Sequence, residues 1–221
     1  MLRLILASAS PRRRELLALS GWPFEVCPVA ADETPLPHES PRALVQRLSA
    51  LKARVAAEAI GSGAIIIGAD TTVAVDKIIL NKPADAAEAF AMLRQLRGRA
   101  HSVFTGLTLL NTTSGESVTQ VAESSVLMRA YSDEEMQAYV ASGDPLDKAG
   151  AYAIQHPGFQ PVEVVAFRDC FANVMGLPLC HVLRVMRRWG DPPTADVPAA
   201  CQDFIPYTCP VSTQILNEAL E

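Results

Sequence analysis

Ala64-Ile65-Ile66-Ile67 is an unbroken apolar run that passes straight into Gly68-Ala69-Asp70-Thr71-Thr72. A strand that does not alternate must be buried on both faces, and helices laid over both sides of a sheet are the usual cover. The run therefore predicts an α/β architecture rather than an all-β or all-helical one. With 221 residues the chain has room for one sizeable α/β domain or two small lobes sharing a core.

The neighbouring sequence supplies the other layers. Leu2–Leu6 reads as a buried strand, and Ser10 caps a helix with Pro11 at its first position and Gly21 beyond its end. Phe24–Val29 predicts a second strand, followed by an acidic loop through Asp32 and Glu33. Ser40 and Pro41 open a long helix whose Leu44, Leu48, Leu51 and Val55 recur at helical spacing. After Asp70, Val73 and Val75 alternate as a further strand, and Asp85 caps a helix striped by Phe90, Leu93 and Leu96 that stops at Gly98. Val103–Leu110 and Val118–Met128 predict a hairpin over the turn Asn111–Glu116. Ser132 with Glu135 forms a capping box for a helix ending near Gly143. Val162–Phe167 reads as one more strand, and Leu177–Trp189 as a last amphipathic helix opened by Pro178.

The sum is a mixed sheet flanked by helices over residues 1–189. Residues 190–221 carry Pro192, Pro193, Pro198, Pro206 and Pro210 and little periodicity beyond a helical turn near Ile215–Leu220. They read as a proline-rich C-terminal tail.

Composition removes several functions. A net charge of −5 speaks against a surface that coats nucleic acid. Five scattered cysteines without a C-x-x-C pair fit a reduced cytosolic protein better than a disulfide framework or a zinc site. Leu2–Ala9 is too short for a secretory core, and no run approaches the roughly 20 apolar residues of a membrane span, so the expected protein is cytoplasmic. His38, His101, His156 and His181 lack metal-binding spacing, and there is neither a G-x-x-x-x-G-K-[ST] loop nor a G-x-S-x-G elbow.

What remains is polar residues at element ends. Ser8, Ser10, Arg12, Arg13 and Arg14 stand at a strand-to-helix junction, where free N–H groups and the helix dipole suit phosphate. A solvated basic helix start is the alternative, although cations there oppose the dipole unless an anion offsets them. Asp70 can ligate Mg²⁺, accept a proton from water, or cap a turn. Lys52 falls within one position of its helix's apolar stripe, and Lys82 follows a strand. Either can point inward or stay solvated. Glu33 can supply a metal oxygen or be a surface acid. Asp147, Lys148, Gly150, Tyr152 and Gln155 form a polar patch in which the glutamine amide can read a base edge.

In order along the chain stand Ser8-Ala9-Ser10-Pro11-Arg12-Arg13, Lys52-Ala53, Gly68-Ala69-Asp70-Thr71, Lys82-Pro83, Gly98-Arg99-Ala100-His101 and Val103-Phe104-Thr105-Gly106. They are followed by Asp147-Lys148-Ala149-Gly150-Ala151-Tyr152-Ala153-Ile154-Gln155 and Asn173-Val174-Met175-Gly176-Leu177-Pro178-Leu179. These blocks, spread over roughly residues 2–189, resemble the Maf nucleotide pyrophosphatases. The resemblance implies a two-lobed α/β protein related in fold to inosine triphosphate pyrophosphatases, with the nucleotide in the cleft between lobes. It implies Asp70 as the proton acceptor that activates water, and Ser8, Arg12, Arg13, Lys52 and Lys82 as holders of the triphosphate. It further implies a divalent cation (Mg²⁺ or Mn²⁺) at Asp70 and Glu33, and a homodimer. Arg12, Thr71 and Gln155 match the branch that acts on dTTP and UTP, rather than the sister branch acting on 7-methyl-GTP.

Three stretches depart from the family pattern: His156-Pro157 after Ile-Gln, Arg168-Asp169-Cys170-Phe171 further on, and residues 190–221. Base choice has its own arithmetic. Uracil and thymine present acceptor, donor, acceptor, and a Gln155 amide that suits them also suits cytosine when flipped. Rejecting cytosine therefore needs a group that cannot flip, such as a donor from Arg12 or a backbone N–H aimed at O4. Two other readings stand beside the pyrimidine enzyme. One is a non-catalytic nucleotide- or nucleic-acid-binding regulator of cell division; the other is a house-cleaning pyrophosphatase for purine or modified triphosphates.

Overall fold

A computed structural model describes residues 2–156, 158–205 and 207–219; the expectations attached to Pro157, Pro206 and Leu220 lie outside the described residues. Strands β1 (Arg3–Ala7), β2 (Phe24–Val26), β3 (Ala64–Val75), β4 (Ile78–Leu80), β5 (Ala100–Asn111) and β6 (Ser117–Leu127) form one mixed sheet. Its order is β2-β1-β3-β5-β6, with β4 paired to β3. The pairs β1–β2 and β1–β3 are parallel, whereas β3–β4, β3–β5 and β5–β6 are antiparallel.

The apolar run does not end at Asp70 as the sequence suggests. β3 continues through Asp70-Thr71-Thr72 into Val73–Val75, held by pairing to β5 from Ile65↔Asn111 to Ala74↔Ser102. The β-branched Thr71 and Thr72 suit that extended stretch. Asp70 therefore lies in mid-strand, and the other edge of β3 explains why it is reachable. β1 covers that edge from Ala64 to Gly68, and β4 covers it from Val73 to Val75. Residues 69–72 fall in the interval between these partners, so a gap opens in the sheet beside Asp70.

Helices cover both faces. Their caps follow the sequence: Ser10 accepts from Arg13 N at α1 (Pro11–Ala18), Ser40 from Ala43 N at α2 (Pro41–Ile60), and Asp85 from Glu88 N at α3 (Ala86–Leu96). The capping box of Ser132 and Glu135 opens α4 (Asp133–Ala141). α2 lies on one face, where Ala53 and Ala56 meet Ile5, Ala7, Ala64 and Ile66 in a small core. The larger core, with Leu16, Ile65, Ile67, Leu93, Leu107 and Leu183 among its members, fills the opposite face beneath α1, α3 and α6 (Leu179–Arg188), the last preceded by the short α5 (Phe171–Val174).

Two stretches differ from expectation. β2 stops at Val26, ahead of Pro28, which has no N–H for a sheet. Val162–Phe167 is not a strand. Val162 makes a single bridge to Met128, and Val164–Ala166 then turns as a 3-10 helix with Ala166 N and Phe167 N donating back to Glu163 O and Val164 O. Those local bonds use the groups a ladder would need, and Val165 is left 88% exposed.

Past Trp189 the chain forms α7 (Val197–Phe204) and α8 (Ser212–Asn217). Val197, Ile205 and Ile215 are buried, and Arg184 of α6 donates to Ile215 O and pairs with Glu218, both at 2.9 Å.

Candidate active site

The gap in the edge of β3 opens onto a cleft of about 560 Å³. Its walls include the turn into α1, the loop carrying Glu33, Lys52 of α2, Thr71 and Val73 of β3, Val103 of β5, the segment after β4 with Lys82, the stretch from Asp144 to His156, and the segment around Gly176. Ser8, Arg12, Arg13, Glu33, Lys52, Thr71, Lys82 and Gln155 all line it. Asp70 stands just behind this lining, 7% exposed, in contact with Lys52.

Two glycines set the depth of α2 and so the position of Lys52. A Cβ at Gly68 would come within 2.3 Å of Ser49 O, and one at Gly106 within 2.0 Å of Val45 O. Only bare backbone lets the helix lie this close to β3 and β5. Lys52 Nζ then reaches Asp70 Oδ1 at 2.7 Å and Glu33 Oε1 at 2.6 Å. Burial pushes the Asp70 carboxyl above its ordinary value, although the charges of Lys52 and Arg13 pull the other way. For Glu33, burial also acts upward, but the hydrogen bond from Lys52 and the surrounding cations outweigh it and leave the carboxyl below the usual range. Among the described residues Asp70 Oδ2 receives no hydrogen bond.

Arg13 is more tied down than its place at a helix start suggests. Its Nε donates to Gly176 O at 2.8 Å, and Nη1 to Ser8 Oγ at 3.1 Å and Ala69 O at 2.9 Å. Nη2 donates to Thr71 Oγ1 at 3.0 Å. Four of the five guanidinium N–H groups thus join the α1 turn, the uncovered edge of β3 and the segment before α6, leaving one for a ligand. Arg12 and the exposed Lys82 carry no such load. The segment beside Lys82 is fixed by Gly150 N donating to Asn81 O at 3.2 Å.

Sequence reasoning missed Lys148 as a buried cleft cation; its Nζ is held by Asp147 Oδ1 at 2.7 Å and Asp144 Oδ1 at 2.9 Å. It also missed His101, whose Nε2 lies 2.7 Å from the hydroxyl of the cleft residue Tyr152. Thr105 and Asn173, buried behind Thr71, were missed as well. For His101, Thr105 and Asn173 the available signal was a polar side chain in an otherwise apolar strand or helix within a family-like block, whereas Lys148 already stood in the polar patch with Gln155.

The donor set bears on a metal. Asp70 and Glu33 are hard oxygen ligands drawn together by one ammonium, and no group of three His, Cys, Asp or Glu able to hold an ion occurs among the described residues. Mg²⁺ is commonly bound by one or two carboxylates with substrate phosphates and water completing its shell, so the residues present fit that ion.

A family model described as Maf-like protein matches residues 3–189. The chain belongs to the Maf family. Relatives extend the likeness over nearly the whole chain. A protein of Syntrophus aciditrophicus (strain SB) named dTTP/UTP pyrophosphatase is 45% identical over 85% of this chain and 90% of its own length. Another of that name, from Thermomicrobium roseum (strain ATCC 27502 / DSM 5159 / P-2), is 44% identical over 95% of this chain and 94% of its own. That alignment runs beyond residue 189 into α7. The solved nucleoside-triphosphatase / dITP/XTP pyrophosphatase of Mycobacterium abscessus covers 59% of this chain and 76% of its own. At 18% identity and a TM-score of 0.39, that likeness is too slight to carry an argument. Among the described residues no helix is long and apolar enough to cross a membrane.

Proposed function

We propose that this Maf protein hydrolyses nucleoside triphosphates, dTTP and UTP foremost, to the nucleoside monophosphate and pyrophosphate by attack of water at the α-phosphorus. The names of its relatives support the substrate class. The observation that carries the chemistry is Asp70, a buried carboxylate held by Lys52 at the gap in β3, behind a cleft walled by Arg12, Arg13 and Lys82.

A triphosphate brings about four negative charges, and more charge gathers on pyrophosphate as it leaves. Arg12, Lys52, Lys82 and the spare N–H of Arg13 meet that charge, with Ser8 adding a hydroxyl. Poor screening inside a cleft makes each of these cations count for more than it would in water. Asp70 takes the proton of the attacking water, a role suited to a carboxyl whose proton affinity burial has raised. Asp70 and Glu33 would hold a divalent cation, which when bound polarises the phosphoryl group and offsets its charge. Thr71 and Gln155 face the cleft as candidates for reading the pyrimidine. The proposal extends to a homodimer, as the family resemblance implies, and to a cytoplasmic location, in keeping with the scattered cysteines.

Pyrophosphate release with Mg²⁺ from dTTP, UTP, CTP, 7-methyl-GTP and ITP tests the reading. Preferential release from dTTP and UTP is expected. Preference for ITP would favour a purine house-cleaning enzyme, and binding without release a non-catalytic regulator.

A further inference from the structure

Cys170, Cys180, Cys201 and Cys209 look scattered along the chain, yet all four line one small cavity at the seam between the body and the C-terminal extension. The cavity has a volume of about 20 Å³, room for about one water molecule, so the side chains around it stand close together. Cys170 caps α5, where its Sγ accepts from Asn173 N at 3.4 Å, and Cys180 sits in the first turn of α6. Cys201 belongs to α7, and Cys209 to the loop between α7 and α8. All four are free thiols, and all lie outside the blocks that carry the family likeness. The fifth cysteine, Cys27, packs apart from them against the small core under α2.

Gathered thiols bind a soft metal or pair with one another. No group of three metal-binding side chains able to hold an ion occurs among the described residues, which leaves pairing. Accessibility and position decide the order. Burial pushes Cys180 up to about 12 and Cys201 up to about 11, with Cys170 higher still, so these three stay protonated near neutral pH. Cys209 is half-buried on a loop, where an oxidant in solution can reach it. Its N–H donates to Gln202 Oε1 at 2.9 Å, and Gln202 Nε2 donates to Pro198 O at 3.2 Å, so α7 holds the loop against the cavity. Among the neighbouring thiols, Cys209 bears on Cys180 more strongly than Cys201 does.

We propose that Cys209 and Cys180 form a peroxide-sensitive pair whose disulfide ties the C-terminal extension to α6. In the first step Cys209 Sγ attacks one oxygen of hydrogen peroxide. An S–O bond forms, the O–O bond breaks, and the departing hydroxide takes the thiol proton and leaves as water. In the second, Cys180 Sγ attacks the sulfenic sulfur. An S–S bond forms, the S–O bond breaks, and a second water carries away the Cys180 proton. The two thiols together lose two electrons, and the peroxide gains them. Holding both sulfurs at one cavity offsets the low acidity of Cys180 by proximity. A dithiol reductant returns both thiols by exchange.

The test is a non-reducing peptide map of the full chain after treatment with hydrogen peroxide, beside a thiol count in denaturant. Expected are a loss of two free thiols per chain, a linked peptide pair carrying Cys180 and Cys209, and recovery of both thiols with dithiothreitol. Cys209→Ser loses the linkage, and Cys27→Ser keeps it. In Cys180→Ala, Cys209 remains as sulfenic acid and takes up dimedone. A Cys209 that stays a thiol, bridges to Cys201 alone, or pairs with a second chain overturns the inference. Should Cys180→Ala not fold, the wild-type map decides by itself, and absence of the Cys180–Cys209 peptide pair overturns the inference equally.

Discussion

Lys52 and Asp70 meet at 2.7 Å although they come from different layers, one from the middle of α2 and the other from the middle of β3. Interleaved side chains normally hold a helix off the sheet it covers. Here Gly68 and Gly106 remove the side chains that would hold it off. The ion pair is thus a consequence of two glycines on neighbouring strands.

Gly106→Ala tests that dependence. Its methyl would lie 2.0 Å from Val45 O, so α2 must move outward and Lys52 with it. Expected is a loss of about 1–3 kcal/mol in stability, read by chemical denaturation, together with a fall in turnover. An unchanged midpoint and rate would show that the close approach is not needed.

The pH–rate profile tests the electrostatics of the pair. Burial holds the Asp70 carboxyl above its ordinary value, so kcat/KM is lost on the acid side with a midpoint raised above that of a free aspartate. Lys52→Met removes a charge that disfavours the proton, and the acid limb moves to higher pH. Glu33→Gln removes a charge that favours the proton, and the limb moves to lower pH. Shifts in the same direction would contradict this account.

Acid stability should depend on histidines outside the chemistry. Burial depresses His101 and His181 to about 4, so each contributes stability that is complete above the unfolded value of 6.5 and is lost as pH falls towards 4. The urea midpoint is expected to drop between pH about 7 and about 5, and to drop less in His101→Phe. An equal drop in that variant would remove His101 from the explanation.

Much of the fold was legible in these residues, and the misses have physical causes. Caps at Ser10, Ser40, Asp85 and Ser132 are local signals, so sequence alone reveals them. The length of β3 was not legible, because its continuation through Asp70 depends on pairing with a strand some 35 residues away. Val162–Phe167 has the composition of a strand, yet no neighbouring strand pairs with it beyond Val162. The cleft residues were recognisable one by one. Arg13 as a four-way brace and Thr105 as the partner of Thr71 were not, since each role exists only where distant segments meet.

The C-terminal extension offers a stability test remote from the cleft. Ile205 is buried against the main core after α7. Ile205→Ala should cost about 2–4 kcal/mol in denaturant unfolding while leaving kcat unchanged at temperatures where the protein stays folded. A negligible cost would mean that the extension adds little to the body.

The most direct measurement is pyrophosphate release from dTTP and UTP with Mg²⁺ by wild type and Asp70→Asn in parallel, with nucleotide affinity measured on both. Expected are release by wild type and a loss of at least about a hundredfold in the variant, with affinity kept within a few-fold. A folded Asp70→Asn protein that turns over at the wild-type rate would contradict the role given to Asp70.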